Sequence, residues 1–241
     1  MLQKILLDSA AKMGISMTGA QAEQFALYHQ MLVEANAKFN LTRVPDALEE
    51  AADRNYLDCI APLACGWPDG IESLIDVGSG AGFPGIPLSI MLPGARVVMV
   101  DSLDKRVKFL QSVIEALNLN AQAVHARAED AARRPELRER FDLATARAVA
   151  SMNLLAEYLL PFVRVGGWML ALKGPAIDEE LAQADYALSK LGGRPERVER
   201  ATIPGRDWDH RLAYVKKIQK TPDLYPRKAG TPEKKPLIAA K

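Results

Sequence analysis

The sequence predicts a doubly wound α/β domain on a mostly parallel sheet, preceded by a helical N-terminal extension. From residue 71 onward, short apolar runs alternate with helical stretches, the pattern of successive βαβ units. A glycine-rich turn, Gly78 to Gly85, lies where the first of those runs hands over to a helix. An acid, Asp101, closes the next run, 21 residues after Gly80.

The elements follow in order. Apolar residues ahead of Gly14 form a first helix. Thr18-Gly-Ala-Gln21 is a capping-box pattern, and Phe25, Tyr28, Leu32 and Val33 then recur at helical spacing, so a second helix covers residues 18–36. A third is expected over residues 45–63, and the extension ends near Trp67-Pro-Asp-Gly70. Strands are expected over 73–78, 95–102, 121–130, 141–150 and 166–174. A helix opening at Phe83-Pro84 and others over 105–117, 152–162 and 178–191 fill the intervals. After Gly192-Gly193, two more β-like runs span 196–203 and 211–218. The chain thus divides into a helical extension (1–70), a sheet domain (71–218) and a tail (219–241).

With 241 residues, 49% of them hydrophobic, the chain can build one large core. No window approaches the roughly 18 consecutive apolar residues of a membrane span. The N-terminal apolar run breaks at Asp8 without a small-residue cleavage site, so a cytoplasmic protein with no membrane partner is expected. Cys59 and Cys65 are too few for a disulfide framework and read as structural thiols. His29, His125 and His210 are scattered without ligand spacing, so no metal is expected; His29 reads as a satisfied residue on a helix face.

Net charge is only +1, which gives no direct support for a nucleic-acid partner, but its distribution is uneven. Residues 1–70 carry five Lys and Arg against nine acids. Residues 216–241 carry Lys216, Lys217, Lys220, Arg227, Lys228, Lys234, Lys235 and Lys241 against Asp223 and Glu233. That tail, interleaved with Tyr225 and four prolines, reads either as a strip lying along a phosphate backbone or as a solvated end.

The turn Asp76-Val-Gly78-Ser-Gly80-Ala-Gly82-Phe83-Pro-Gly85 is the candidate nucleotide site. Its glycines let backbone approach a ligand at positive φ, and the helix behind it is expected to offer unpaired N–H groups. Asp101 stands where an acid accepts from ribose hydroxyls. The same glycines suit a nicotinamide dinucleotide, so Asp76 is used to choose: a carboxylate beside them repels a pyrophosphate and attracts the ammonium and sulfonium of S-adenosylmethionine. Capping of loop amides is the alternative role for Asp76. Glu129, with the Ala128 N–H, falls on the adenine side of the cleft or in a solvated loop. Arg147 and Lys173, at the tips of otherwise apolar strands, face the ligand cleft or form plain salt bridges. No Gly-x-Ser-x-Gly elbow occurs, and neither a covalent nucleophile nor a general base is evident. Methyl transfer to an atom with a free lone pair requires neither.

These residues resemble one family: the bacterial small-subunit ribosomal RNA guanine-N7 methyltransferases, also called glucose-inhibited division protein B. The resemblance runs through Lys38-Phe-Asn-Leu-Thr42, the turn extended to Leu88, Asp101-Ser-Leu-Asp-Lys-Arg-Val-Lys-Phe-Leu110, Arg147-Ala148 and Lys173-Gly174. It ends in Tyr225-Pro-Arg-Lys-Ala-Gly-Thr-Pro-Glu-Lys-Lys-Pro-Leu237, so that nearly the whole chain is covered. It implies a Rossmann-like S-adenosylmethionine-dependent fold, methylation of a guanine N7 in 16S rRNA or the small ribosomal subunit, and S-adenosylhomocysteine as product. It also implies cofactor contacts at Gly78, Phe83, Ala128, Glu129 and Arg147, with Arg147 close to the base as the catalytic residue. One departure stands out: where the family often has a histidine followed by Asp-Ser, this chain has Asn55 and then Asp58-Cys59.

Cofactor contacts are therefore expected from Asp76, Gly78, Gly80, Gly82, Phe83, Asp101, Ala128, Glu129 and Arg147. Substrate contacts are expected from Lys173, Arg227 and Lys228, and phosphate contacts from the tail lysines with Arg133, Arg134, Arg138 and Arg140. A monomer is expected. A dinucleotide-dependent oxidoreductase and a non-catalytic ribosome-associated binding module remain the competing functions.

Overall fold

A computed structural model describes residues 1–147 and 150–239. Ala148, part of the Arg147-Ala148 motif, and Lys241, part of the basic tail, lie outside the described residues. Helix α1 (Leu2–Lys12) leads into α2 (Gly19–Phe39), where Thr18 and Gln21 form the reciprocal capping box. The third helical stretch is composite: α3 (Leu48–Ala51), a π-helical segment (Ala52–Leu57), α4 (Asp58–Ile60) and a 3₁₀ turn (Ala61–Ala64).

Strands and helices then alternate. β1 (Ser73–Val77) is followed by α5 (Gly85–Met91), β2 (Arg96–Asp101) by α6 (Asp104–Leu117), and β3 (Ala121–His125) by α7 (Ala128–Ala131). β4 (Phe141–Arg147) is followed by α8 (Met152–Leu159), and β5 (Val163–Lys173) by α9 (Ile177–Lys190). β6 (Gly193–Ala201) and β7 (His210–Lys217) form a hairpin, and a short α10 (Thr231–Lys234) lies in the tail. Two boundaries differ from expectation. β3 ends at His125 because Arg127 starts the α7 turn, and β5 begins three residues before the Gly166-Gly167 pair, pairing Val163 with Phe141 across a register shift.

The seven strands lie in the order β3-β2-β1-β4-β5-β7-β6. β1 to β5 are mutually parallel, while β7 runs antiparallel to both β5 and β6. The carboxyl ends of the parallel strands therefore place Val77, Asp101, His125, Arg147 and Lys173 along one edge. Because β7 is reversed, its first residue, His210, arrives at that same edge.

Alternation along the strands divides the core. Leu74, Val97, Leu143 and Leu170 face one layer, with Leu6, Phe25, Tyr28 and Tyr56 of the N-terminal helices. Ile75, Val98, Ala144 and Ala171 face the other, with Leu155 of α8 and Leu188 of α9. The N-terminal helices thus share a core with the sheet.

The tail is packed as well. Tyr225 and Leu237 join the second layer. Lys217, fully buried at the end of β7, donates to Leu160 O and Thr221 Oγ1 and sits 3.3 Å from Glu139 Oε1. Burial pushes its ammonium down to about 8 against the pull of Glu139. Among the described residues no helix is long and apolar enough to cross a membrane. Lys217→Met leaves those oxygens unmatched, and a loss of roughly 3–5 kcal/mol is expected in chemical denaturation.

Candidate active site

The glycine-rich turn is bolted down from three sides. Behind it, Asp76 Oδ2 accepts from Gly85 N at 2.9 Å, and Ser79 Oγ donates to Asp76 O at 3.0 Å. From the neighbouring strand, Asp101 Oδ2 accepts from Gly80 N at 2.8 Å while its Oδ1 accepts from Leu103 N at 2.9 Å. From α2, the buried Tyr28 hydroxyl donates to Ala81 O at 2.7 Å. Gly78, Gly80 and Gly82 hold φ of 75°, 60° and 107°, which only glycine adopts without strain.

Asp76 is completely buried and braces the turn through Oδ2, while its Oδ1 is buried without a hydrogen-bond partner among the described residues. Its pKa is pushed up to about 7, chiefly by burial. Gly82 points away from the cavity: a Cβ there would meet Ile86 Cγ1 at 2.6 Å and the Tyr28 hydroxyl at 3.0 Å.

The turn's amides matter for what can bind. Gly78 N and Ser79 N donate to Val100 O, Gly80 N to Asp101, Gly82 N and Phe83 N to Ser79 O, Gly85 N to Asp76 and Ile86 N to Gly82 O. Residue 84 is proline. The free N–H groups expected at the helix start are already committed to protein oxygens, so a diphosphate finds no nest of donors there.

In front of the turn lies a cavity of about 590 Å³, within the range of small-ligand sites. Gly78, Gly80, Phe83, Asp101, Ala128, Glu129 and Arg147 all line it, together with Val100, Leu155, Tyr158 and Leu159. Arg106 stands 3.5 Å from Asp101. Glu129 is buried rather than solvated, and its Oε1 accepts from Gly230 N of the tail at 2.8 Å.

A second cleft of about 1080 Å³ adjoins the first, and Thr42 and Arg147 border both. The Arg147 guanidinium lies over the Phe83 ring, 4.7 Å from its centroid. Its Nη1 donates to Arg54 O at 2.8 Å and stands 3.4 Å from Cys59 Sγ and 3.5 Å from Asp58 Oδ2. Burial pushes the Cys59 thiol up to about 12, so it stays neutral beside this cation. Asn55 lines the second cleft. So does Lys173, held 2.6 Å from Glu180 and donating to Ala150 O.

The tail cations are only partly available. Arg227 is not free for a substrate: its main-chain and side-chain nitrogens make four hydrogen bonds to the buried Glu157 carboxylate. Arg133 donates to Leu224 O and Pro226 O, and Arg138 to Thr221 O and Tyr225 O, so both hold the tail in place. Arg140 donates to Pro135 O. Lys228, Lys234 and Lys235 are exposed. His29 is satisfied by the Tyr56 hydroxyl at 2.8 Å. Asp58, His210 and Tyr28 were not singled out as site residues, because nothing in their local sequence shows that a helix, a reversed strand and an N-terminal helix meet at Arg147 and the turn.

A parallel sheet closed by an antiparallel hairpin, with a glycine turn and an acid-tipped second strand facing one cavity, defines a Rossmann-like methyltransferase. A model of the family described as rRNA small subunit methyltransferase G matches residues 21–207. The chain belongs to that family. It is 48% identical over 238 residues to Ribosomal RNA small subunit methyltransferase G of Lactobacillus johnsonii, covering 97% of this chain and 99% of the relative. The counterpart from Clostridium botulinum is 44% identical, covering 97% and 98%. Among solved structures, a branched-chain polyamine synthase mutein from Thermus thermophilus shares the fold at 15% identity, with a TM-score of 0.56 over 81% of this chain and 64% of that one.

Because burial raises the Asp76 pKa above that of the unfolded chain, its contribution to stability is fully present below about pH 4 and is lost as pH climbs through about 7. Asp76→Asn is expected to shrink the difference in denaturation free energy between pH 5 and pH 8; an unchanged difference would show that Asp76 does not titrate there.

Proposed function

We propose that the chain transfers the methyl group of S-adenosylmethionine to N7 of a guanine in 16S ribosomal RNA, acting in the cytoplasm as a monomer on the RNA or the small subunit. The observation that carries this is the junction at Arg147, where one half-buried cation borders both the cavity beneath the glycine turn and the larger cleft beside it. When bound, S-adenosylmethionine supplies an activated methyl whose C–S bond breaks as N7 attacks, leaving neutral S-adenosylhomocysteine and a cationic base.

The cavity suits that donor. Val100, Leu155 and Leu159 offer an apolar wall, Ala128 and Glu129 stand at the end of the third strand, and Asp101 keeps lone pairs beyond those given to the turn. Gly78 and Gly80 let the backbone approach closely, while Asp76 and Gly82 brace the turn from behind. A dinucleotide is disfavoured by the committed amides rather than by the Asp76 charge.

The residues then have little proton chemistry to perform, since guanine N7 already carries a free lone pair. Their work is alignment and electrostatics. Positive charge moves from sulfur to the purine, and the acids of the adjoining cleft, Asp58 and Glu180, are held there in pairs with His210, Arg147 and Lys173. The free edge of Arg147 is placed to donate to the base O6. Lys173 takes part through its pair with Glu180, and Lys228, Lys234 and Lys235 meet phosphates. In this reading the extension (1–70) walls the base cleft, the core (71–218) holds the donor and the tail (219–241) grips the RNA.

Labelled methyl transfer to small subunits from cells lacking the enzyme, with the modified base mapped by mass spectrometry, tests the assignment. Arg147→Ala is expected to lower the rate at least about tenfold, and Asp101→Ala to weaken S-adenosylmethionine binding roughly tenfold, about 1.4 kcal/mol. Thermal stabilisation by NAD and not by S-adenosylmethionine would overturn it.

A further inference from the structure

Resting on the reading that Arg147 serves the transfer site, we propose that His210 is a positioning residue that keeps the outer edge of Arg147 free for substrate. The Asp58 carboxylate is shared between two cations. Oδ1 lies 2.7 Å from His210 Nδ1, whereas Oδ2 stands 3.5 Å from Arg147 Nη1. A guanidinium and a carboxylate left to themselves settle into a planar, two-point pair at about 2.7–2.9 Å. Here that pairing does not form, because one oxygen is committed to the imidazole.

The consequence falls on Arg147. Its anchoring contacts to Arg54 O, Cys59 Sγ and Asp58 all converge on Nη1, and its face is spread on Phe83. The side chain itself borders both cavities, and among the described residues its hydrogen bonds all leave from Nη1. Without a donor at position 210, Asp58 is free to turn and chelate the guanidinium, pulling it against the helical wall and cancelling its charge at the junction.

His210 is itself oriented. Its ring stacks on Trp208 at 5.2 Å with the planes 28° apart, and the Arg54 guanidinium lies over Trp208 at 4.6 Å. The charged groups around the imidazole are Asp58 of α4, Arg54 of the π-helical segment and Arg147 of β4, with Asp209 and Arg211 flanking it in sequence. The hydrogen bond to Asp58 raises the His210 pKa above the usual 6.5. Sequence order hides this arrangement: positions 58, 147 and 210 come together only because the reversed last strand starts where the fourth strand ends.

Two substitutions in the full-length chain separate the donor from the stack. His210→Phe keeps an aromatic ring beneath Trp208 and removes the donor. His210→Asn loses the ring, but its side-chain amide nitrogen occupies the place of Nδ1 and still donates to Asp58. His210→Phe is expected to lower kcat/KM for methyl transfer to small subunits by roughly tenfold, the scale set by a displaced positioning group, while His210→Asn stays within about twofold of the native chain. Adding Asp58→Asn to His210→Phe is expected to restore part of the loss, because the competing charge is gone. In nitrogen-15 spectra of the protein without cofactor or RNA, the Arg147 Nη groups are expected to exchange with solvent and to rotate about Cζ–Nη more slowly in His210→Phe, as a two-point pair through Nη1 and Nη2 requires.

The reverse order, with Asn impaired and Phe active, would mean that His210 acts only by packing and would overturn the proposal. Native kinetics and exchange in His210→Phe would do so too. Arg147→Ala, measured alongside, separates the two readings: full activity in that variant removes the role of Arg147 itself, whereas an inactive Arg147→Ala with an active His210→Phe removes only that of His210.

Discussion

The glycine turn holds its shape because two buried carboxylates and one buried hydroxyl tie it to three elements. Asp76 takes the Gly85 amide, Asp101 takes the Gly80 amide and Tyr28 caps the Ala81 carbonyl. Each reaches the turn from a different element, so the cavity exists only when β1, β2 and α2 are docked together. A turn of this kind presents shape and a few lone pairs, with most of its N–H donors bonded inside the protein. That is a poor seat for a diphosphate and a suitable one for a ligand recognised by its ribose, its ring and a positive centre.

The same economy governs the positive charges. Composition alone makes the last 26 residues a strip of cations awaiting an anion, and the structure spends several of them on folding. Arg227 saturates Glu157, Arg133 and Arg138 collect carbonyls of residues 221–226, and Lys217 is buried among oxygens. An arginine fork is well made for holding an irregular segment whose carbonyls lack strand partners. The result joins the tail to the cavity wall, since Glu129 belongs to both. Among the described residues of the tail, Lys220, Lys228, Lys234 and Lys235 are exposed to meet a phosphate backbone.

Half-buried beside Asp58 and spread on Phe83, Arg147 borders both the cavity under the turn and the cleft beside it. Methyl transfer to a lone pair that needs no deprotonation asks for aligned partners and a field that favours moving charge. In this structure Asp58 and Glu180 are each already paired with a cation, Asp58 with His210 and Arg147 and Glu180 with Lys173.

Local sequence determined much of this protein. Short apolar runs marked the parallel strands, the capping box at Thr18 set the start of α2, and Gly80 and Asp101 both line one cavity, because these signals depend mainly on neighbours along the chain. Tertiary structure alone decided which side of the turn each polar group serves. Asp76 and Gly82 read as ligand residues in the chain and are buried in the fold, because the β1 pleat and the α5 packing set their direction. It also decided which cations are free and that His210 reaches Asp58, since pairing between residues 70 or 152 positions apart follows from strand order and reversal, which no local pattern encodes.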